Sequence, residues 1–157
     1  MGFMDSLNIS ASGMTAERLR LDVVSNNIAN ANTTRGPGGG PFQRKAVVLS
    51  PGDVSFSSTL SSIAGGGGIG AIELAQQNAE LTGVKVSSIV PDSTPFKEVY
   101  DPGNPDADKR GYVRMPNVNV ITEMVDMMGA SRAYEADVTA VNSAKAMAMK
   151  AIEIGRA

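Results

Sequence analysis

The sequence predicts a mainly α protein with a small β-containing middle: long N- and C-terminal helices pair as an antiparallel coiled coil around a short irregular insert. Three observations predict it. All eight prolines lie between residues 37 and 116, together with most of the glycines. Both proline-free ends carry apolar residues at seven-residue spacing. Between them lies a stretch rich in serine and glycine. Proline in a helix interior costs roughly 3 kcal/mol, so long helices are confined to the two ends. The chain therefore divides into an N-terminal helix segment over 1–35, a Pro/Gly-rich middle over 36–116 and a C-terminal coiled-coil helix over 117–157.

In the N-terminal segment Leu7, Met14, Leu21 and Ile28 recur every seven residues, joined by Ala11 and Val24, while Glu17, Arg18 and Asp22 fall elsewhere on the helix. This predicts a narrow apolar seam on a helix over 5–31. Asp5 or Ser6 can cap its start by accepting a hydrogen bond from an orphan backbone amide, and the run from Asn30 to Gly36 ends it.

The C-terminal segment is more regular. Val120, Met127, Tyr134, Val141 and Ala148 occupy one seam position, and Met124, Ser131, Val138, Lys145 and Ile152 the other. Pro116 with Asn117 or Asn119 marks the start; Glu123 and Asp126 suit the positive end of the helix dipole, Lys150 and Arg156 the negative end. At 1.5 Å per residue such a helix is about 50 Å long, more than the short middle can cover. A hairpin between the two ends leaves the further apolar positions Ile121, Val125 and Met128 without partners, so neighbouring subunits are expected to supply the remainder. Six of the nine methionines fall at Met115 or later; they suit either core filling or a surface that repacks against partners. Gly129 costs about 1 kcal/mol against alanine in a helix, and marks either a close helix approach or a weak point.

In the middle, residues 43–49 and 84–90 read as short strands, the second alternating Val84, Val86 and Val90 with Lys85 and Ser87, and 112–115 as a weaker third. Residues 55–70, with four glycines in a row at 65–68, read as a loop, followed by a short helix over 71–81.

Composition narrows the function. Aromatic residues make up 4% of the chain, with no tryptophan, so the large anchors of a self-sufficient core are scarce. The net charge is -2 and no basic cluster exceeds a pair, which disfavours nucleic acid and anionic membranes as partners. No apolar run approaches the roughly 20 residues that span a bilayer, so the chain is expected not to be membrane-inserted. The first positive charge is Arg18, behind polar residues, so a cleaved secretory signal is not expected. Cysteine and histidine are both absent. That removes disulfides, thiolate nucleophiles, the most used acid–base side chain and the commonest metal ligand.

The features that imitate a chemical site have plainer readings. Gly65 to Gly70 lacks the spacing and leading strand of a phosphate cradle. The acidic run from Asp101 to Asp108 fits a calcium loop at Asp106, Asp108 and Gly111, but places Arg110 and Asn117 where ligating oxygens are needed, so a turn-rich surface loop is expected. The serines have no histidine to activate them, and Lys85, Lys109 and Lys145 show no apolar setting that would lower a lysine pKa. No catalytic residue, cofactor site, metal site or small-molecule substrate is predicted, and the chain is expected not to be an enzyme.

Residues 7–34, LNISASGMTAERLRLDVVSNNIANANTT, resemble the N-terminal signature of bacterial flagellar rod, hook and related axial proteins, most recognisably at Asn27, Ile28, Ala29, Asn30, Asn32 and Thr33. Residues 97–145, from KEVYDPGNPDADKRGYVRMPN onward, closely resemble the proximal members of the basal-body rod family, and FQRKAVV at 42–48 and GVKVSSIV at 83–90 resemble its middle segment. The stretch 55–82 looks longer than that family's usual middle. The resemblance implies a structural subunit of the flagellar basal-body rod, needed for flagellar assembly and motility. It also implies export by the flagellar type III apparatus without a cleaved signal, a place in the periplasmic rod, and terminal helices that line the inner tube and stay disordered until assembly. Its partners would be itself and other rod proteins. The polymer contacts expected on this reading are Leu7, Met14, Leu21, Val24, Ile28, Val120, Met124, Met127, Tyr134, Val138, Val141 and Ile152. Another axial rod or hook component is the nearest alternative, and a secreted helical module presenting the 55–70 loop to a ligand is the alternative of a different class.

Overall fold

A computed structural model of the chain describes residues 3–36, 39–52 and 83–155. The loop expected at 55–70 and the helix expected at 71–81 lie outside the described residues. The described elements run α1 (Phe3–Ala29), β1 (Lys45–Pro51), β2 (Val84–Pro91), β3 (Lys97–Tyr100), β4 (Tyr112–Met115) and α2 (Val120–Ile154). Two long helices thus flank a middle of short strands. No described helix is long and apolar enough to cross a membrane.

At 27 residues, α1 is about 40 Å long. It begins two residues before the expected start, so Asp5 and Ser6 lie inside its first turn and not at its cap; with no proline or glycine before Asp5 other than Gly2, nothing in the local sequence stops the helix from extending back. It ends where the asparagine run begins: Asn30 N still bonds to Asn26 O at 3.1 Å, and Asn30 Nδ2 donates to the same carbonyl at 2.9 Å. The turn then tightens, with Ala31 N on Ile28 O and Thr33 N on Asn30 O, both 3.1 Å.

The start of α2 is capped. Asn119 Oδ1 accepts from Ile121 N at 3.1 Å while its own carbonyl takes the first helical bond, from Glu123 N at 3.0 Å. From there 35 residues run without a break, Gly129 included. Apart from its own stretch of helix, no heavy atom of the described residues comes within 4 Å of the place a Cβ would occupy on Gly129, so among the described residues that glycine serves no close approach.

Strands β1 and β2 form one two-stranded sheet, β3 and β4 another. Asp92 N bonds to Arg44 O at 2.8 Å just outside one end of the first ribbon, and Gly52 N to Gly83 O at 2.6 Å just outside the other. The second ribbon is antiparallel with Lys97 opposite Met115 and Tyr100 opposite Tyr112. The sequence does not predict β3, a four-residue strand exposed at every position. Its order comes from β4 and from the loop that joins them. Asp101 N closes onto Gly111 O at 2.9 Å, and Gly111 adopts φ +81, where a Cβ would lie 2.9 Å from Tyr100 Cε2. The rings of Tyr100 and Tyr112 meet edge to face with centroids 5.3 Å apart.

The chain divides into two compact units, each containing part of both long helices. Unit one comprises residues 1–16, 49–87 and 133–157, and unit two residues 17–48 and 88–132. Among the described residues, the buried apolar residues of unit one are Ala16 and Ala144. In unit two they are Val23, Val24, Val113, Val118 and Ala130, with Pro116 also fully enclosed. Among the described residues the buried apolar side chains are valines, alanines and a proline, with no aromatic ring.

Candidate assembly surface and its polar anchor

Helix α1 buries the stripe Ala16, Val23 and Asn27, with Arg20 half-buried between them. On α2 the stripe is Glu123, Ala130 and Ala144, with Asp137 half-buried at the intervening heptad position. In unit one a Cβ on Gly13 would lie 2.5 Å from Asp137 Oδ2. In unit two Arg20 Nη2 stands 3.8 Å from Asp126 Oδ1, and Asn27 Nδ2 donates to Glu123 Oε2 at 2.8 Å.

The residues expected in the seams sit around these stripes. Leu7, Met14, Leu21 and Ile28 are half-buried and Val24 is buried; Met127, Tyr134, Val138 and Val141 are half-buried, while Val120, Met124 and Ile152 are exposed. On α2 the enclosed stripe is thus displaced by one residue from the Met124–Val138–Ile152 row. Apolarity ranks Met124 above Glu123, but small side chains let backbones approach, and Ala130 at 0% exposure fills that role better than a methionine. Glu123 is enclosed because its charge is answered.

The anchor that answers it joins α1, the residues leading into β1, and α2. Glu123 and Asn27 are both 0% exposed. Arg44 Nε meets Glu123 Oε1 at 2.7 Å, while its Nη1 reaches Asp92 Oδ2 at 3.2 Å and its Nη2 Asp126 Oδ2 at 3.6 Å. Asn27 also bonds twice to Lys45, donating through Nδ2 to the carbonyl at 2.8 Å and accepting at Oδ1 from the amide at 3.0 Å. Asn117 completes the set: its Oδ1 accepts from Arg44 N at 2.8 Å and its Nδ2 donates to Thr94 O at 3.0 Å. Burial lowers the Arg44 pKa and the Glu123 and Asp92 carboxylates raise it more, so on balance it stands above its ordinary value. Hydrogen bonds from Thr94, with Arg44 behind them, hold Asp92 below the usual carboxylate value.

The sequence signals Asn27 as one member of a recognisable motif and Glu123 as a helix-dipole partner; Arg44 and Glu123 also fall within segments that resemble the rod family, but nothing there singles either out as buried. The available clue is an amide and a carboxylate falling in line with Ala16 and Val23 on one helix and with Ala130 and Ala144 on the other. Of the other motif residues, Ile28, Asn30 and Thr33 are half-buried and Ala29 and Asn32 exposed.

The acidic loop has the turn-rich form expected of it. Asp101 Oδ1 accepts from Gly103 N, Asp108 Oδ1 from Arg110 N and Tyr112 N, and Asp106 is held by Thr34 Oγ1 at 2.8 Å and Arg35 at 3.7 Å. These carboxylates serve the chain's own amides, hydroxyl and guanidinium. Among the described residues no group of three carboxylates could hold a metal ion.

On its outer side α2 carries an open apolar stripe. Ile121 is 75% exposed and Met128 55%, with Met124 and Val125 between them on the same face. Met147, Met149, Ile152 and Ile154 are likewise exposed toward the helix end.

Two family models match the chain. One described as flagella basal body rod protein covers residues 7–37, and one described as flagellar basal body rod FlgEFG protein C-terminal covers 109–154. The flagellar basal-body rod protein FlgC of Bacillus subtilis is 49% identical over 155 residues, covering 96% of this chain and 97% of that protein. The chain belongs to the FlgC family of flagellar basal-body rod proteins. The FlgC of Borreliella burgdorferi is 44% identical, with 98% of each chain covered, and that of Escherichia coli O6:H1 38% identical, covering 99% of this chain and 100% of its own. The family models fall on the two long helices: the first spans most of α1, the second β4 and α2. Asn27 lies within the first match and Glu123 within the second, so the buried anchor joins the two regions that the family models match.

Proposed function

We propose that this chain is a structural subunit of the proximal rod of the bacterial flagellum, polymerising through its terminal helices into the hollow drive shaft and required for flagellar assembly and motility. Near full-length similarity to FlgC proteins carries the proposal. The apolar stripe Ile121, Met124, Val125 and Met128 supports it, since a set of large apolar side chains left open on one helix face marks a place where another surface docks.

On this reading the two helices pair as an antiparallel coiled coil. In unit two the pairs Arg20–Asp126 and Asn27–Glu123 support that direction, because the later residue of α1 meets the earlier residue of α2. The segments 1–35, 36–116 and 117–157 then act as inner helix, outer insert and inner helix. Seam residues left exposed, Val120, Met124 and Ile152, meet neighbouring subunits. Repeated contacts between two different surfaces give an open helical tube when the rotation does not close. Export would proceed through the flagellar type III apparatus without a cleaved signal, and the subunit would act in the periplasmic part of the basal body beside other rod proteins.

The test is electron microscopy of basal bodies from a strain lacking this gene, with a swimming assay and a restoring copy. Loss of rod and hook, rescued by the copy, is the expected result. Intact rods with normal swimming would overturn the reading and favour a secreted helical module.

A further inference from the structure

The apolar residues of the two helices do little to fix how far one slides along the other. Leu7, Met14, Leu21 and Ile28 repeat at seven residues, as do Met127, Tyr134, Val141 and Ala148, so a slip of one heptad, about 10 Å, sets apolar side chains against apolar side chains again. The enclosed positions of α2 are no more selective, since Ala130 and Ala144 are the same residue.

Glu123 and Asn27 differ from every other enclosed side chain on these helices. They are polar, fully buried, and complete only together. Asn27 is oriented independently of α2, because its carboxamide is held at both ends by the Lys45 backbone. That leaves its remaining Nδ2 hydrogen aimed at one place, where Glu123 Oε2 accepts it at 2.8 Å. Arg44 Nε takes the other carboxylate oxygen at 2.7 Å. A slip that brought Ala130 opposite Asn27 would leave that hydrogen without an acceptor and withdraw Glu123 from Arg44, so the buried charge would lose both partners at once.

We propose that the buried Asn27–Glu123 pair specifies the register of α1 against α2. A fully enclosed polar pair in a helix interface is better suited to this than the partly exposed Arg20–Asp126 pair, since wrong registers bury an unsatisfied group while the right one does not. Asn27 and Glu123 are thus positioning residues: they set which seam positions remain outward for the next subunit. The inference rests on the antiparallel pairing proposed above.

The chain has no cysteine, so introduced thiols are unique. In the purified full-length chain, a short bifunctional thiol reagent is applied to R20C/D126C, the pair in register, and to R20C/A133C, displaced by one heptad. Each cysteine pair is combined with N27L/E123L and with E123Q, and helix content is followed by circular dichroism. The otherwise unaltered chain is expected to cross-link in register in preference to the displaced pair by at least about tenfold, and E123Q, which keeps an acceptor for Asn27, to retain that preference. N27L/E123L should keep its helices and give comparable yields from both cysteine pairs. An undiminished preference in N27L/E123L would overturn the proposal while leaving the helix pairing intact. Loss of helix in that variant would also overturn it, since a register determinant is not needed for the helices to form. Absence of any cross-link in the otherwise unaltered chain would overturn the antiparallel pairing itself.

Discussion

Asn27 and Glu123, separated by 96 residues of sequence, are joined by a 2.8 Å hydrogen bond in a place from which water is wholly excluded. Each is an expensive residue to bury alone, and each is satisfied because the other, with Arg44 and the Lys45 backbone, is delivered to the same point. Replacing Glu123 by Ala should destabilise the protein by roughly 3 kcal/mol, since it strips Asn27 and Arg44 of a shared partner. Urea denaturation followed by circular dichroism reads this directly; a change under about 0.5 kcal/mol, the size of an ordinary surface substitution, would show that the anchor contributes little.

Asn119 satisfies the Ile121 amide at the start of α2. Asn119→Ala should cost about 1 kcal/mol, while Asn119→Ser or Asn119→Asp should cost much less. Thermal melts of the three variants give the comparison.

Gly83 lies against α1: a Cβ there would overlap Ser12 Oγ and stand 3.3 Å from the backbone of Ile9. The helix side of that contact is fixed, because Ser12 Oγ donates to Ile9 O at 2.7 Å and accepts from Val84 N at 3.0 Å. Gly83→Ala should therefore destabilise by about 1–3 kcal/mol, the range for overpacking, although the same change elsewhere in a loop is often neutral or helpful. Equal denaturation midpoints for the two proteins would count against the tight contact.

Asp92 and Asp108 are both held below the ordinary carboxylate value of 3.8, Asp92 first by Thr94 and then Arg44, Asp108 by the Arg110 and Tyr112 amides. A carboxylate whose folded pKa is depressed contributes stability that is complete above its unfolded pKa and is lost as pH falls through the folded one. Stability should thus be level near neutrality and decline once the pH drops below about 4. In Asp92→Asn the decline should be shallower and stability at pH 7 lower, as denaturant titrations at several pH values would record.

The open and enclosed faces of α2 should respond oppositely to charge. Met124→Asp and Val125→Asp, both at exposed positions, should leave the isolated chain folded and yet abolish incorporation into rods, because the charge would be desolvated on docking. Ala130→Asp, at a fully enclosed position, should unfold the chain itself. Val138→Asp and Leu21→Asp, at half-buried seam positions, should likewise block incorporation with the middle segment still folded. Motility assays paired with circular dichroism separate the cases, and normal swimming with Met124→Asp would exclude that face from assembly.

What the sequence by itself determined is local or periodic. Proline placement confined the helices to the ends, seven-residue spacing identified α1 and α2, the run from Asn30 marked a helix end, Pro116 with Asn117 or Asn119 marked a helix start, and valine alternation located β2. The tertiary structure decided what depends on distant partners. Strand β3 has no pattern of its own and is ordered by pairing with β4. The enclosed stripe of α2 runs through Glu123, Ala130 and Ala144 and not through the more apolar row beside it, because spacing reveals a period but not its phase against a neighbour. A carboxylate reads as solvent-facing in any window of its own sequence; Glu123 became the most deeply buried charge of the described chain because Asn27 and Arg44 arrive from far along the chain to receive it.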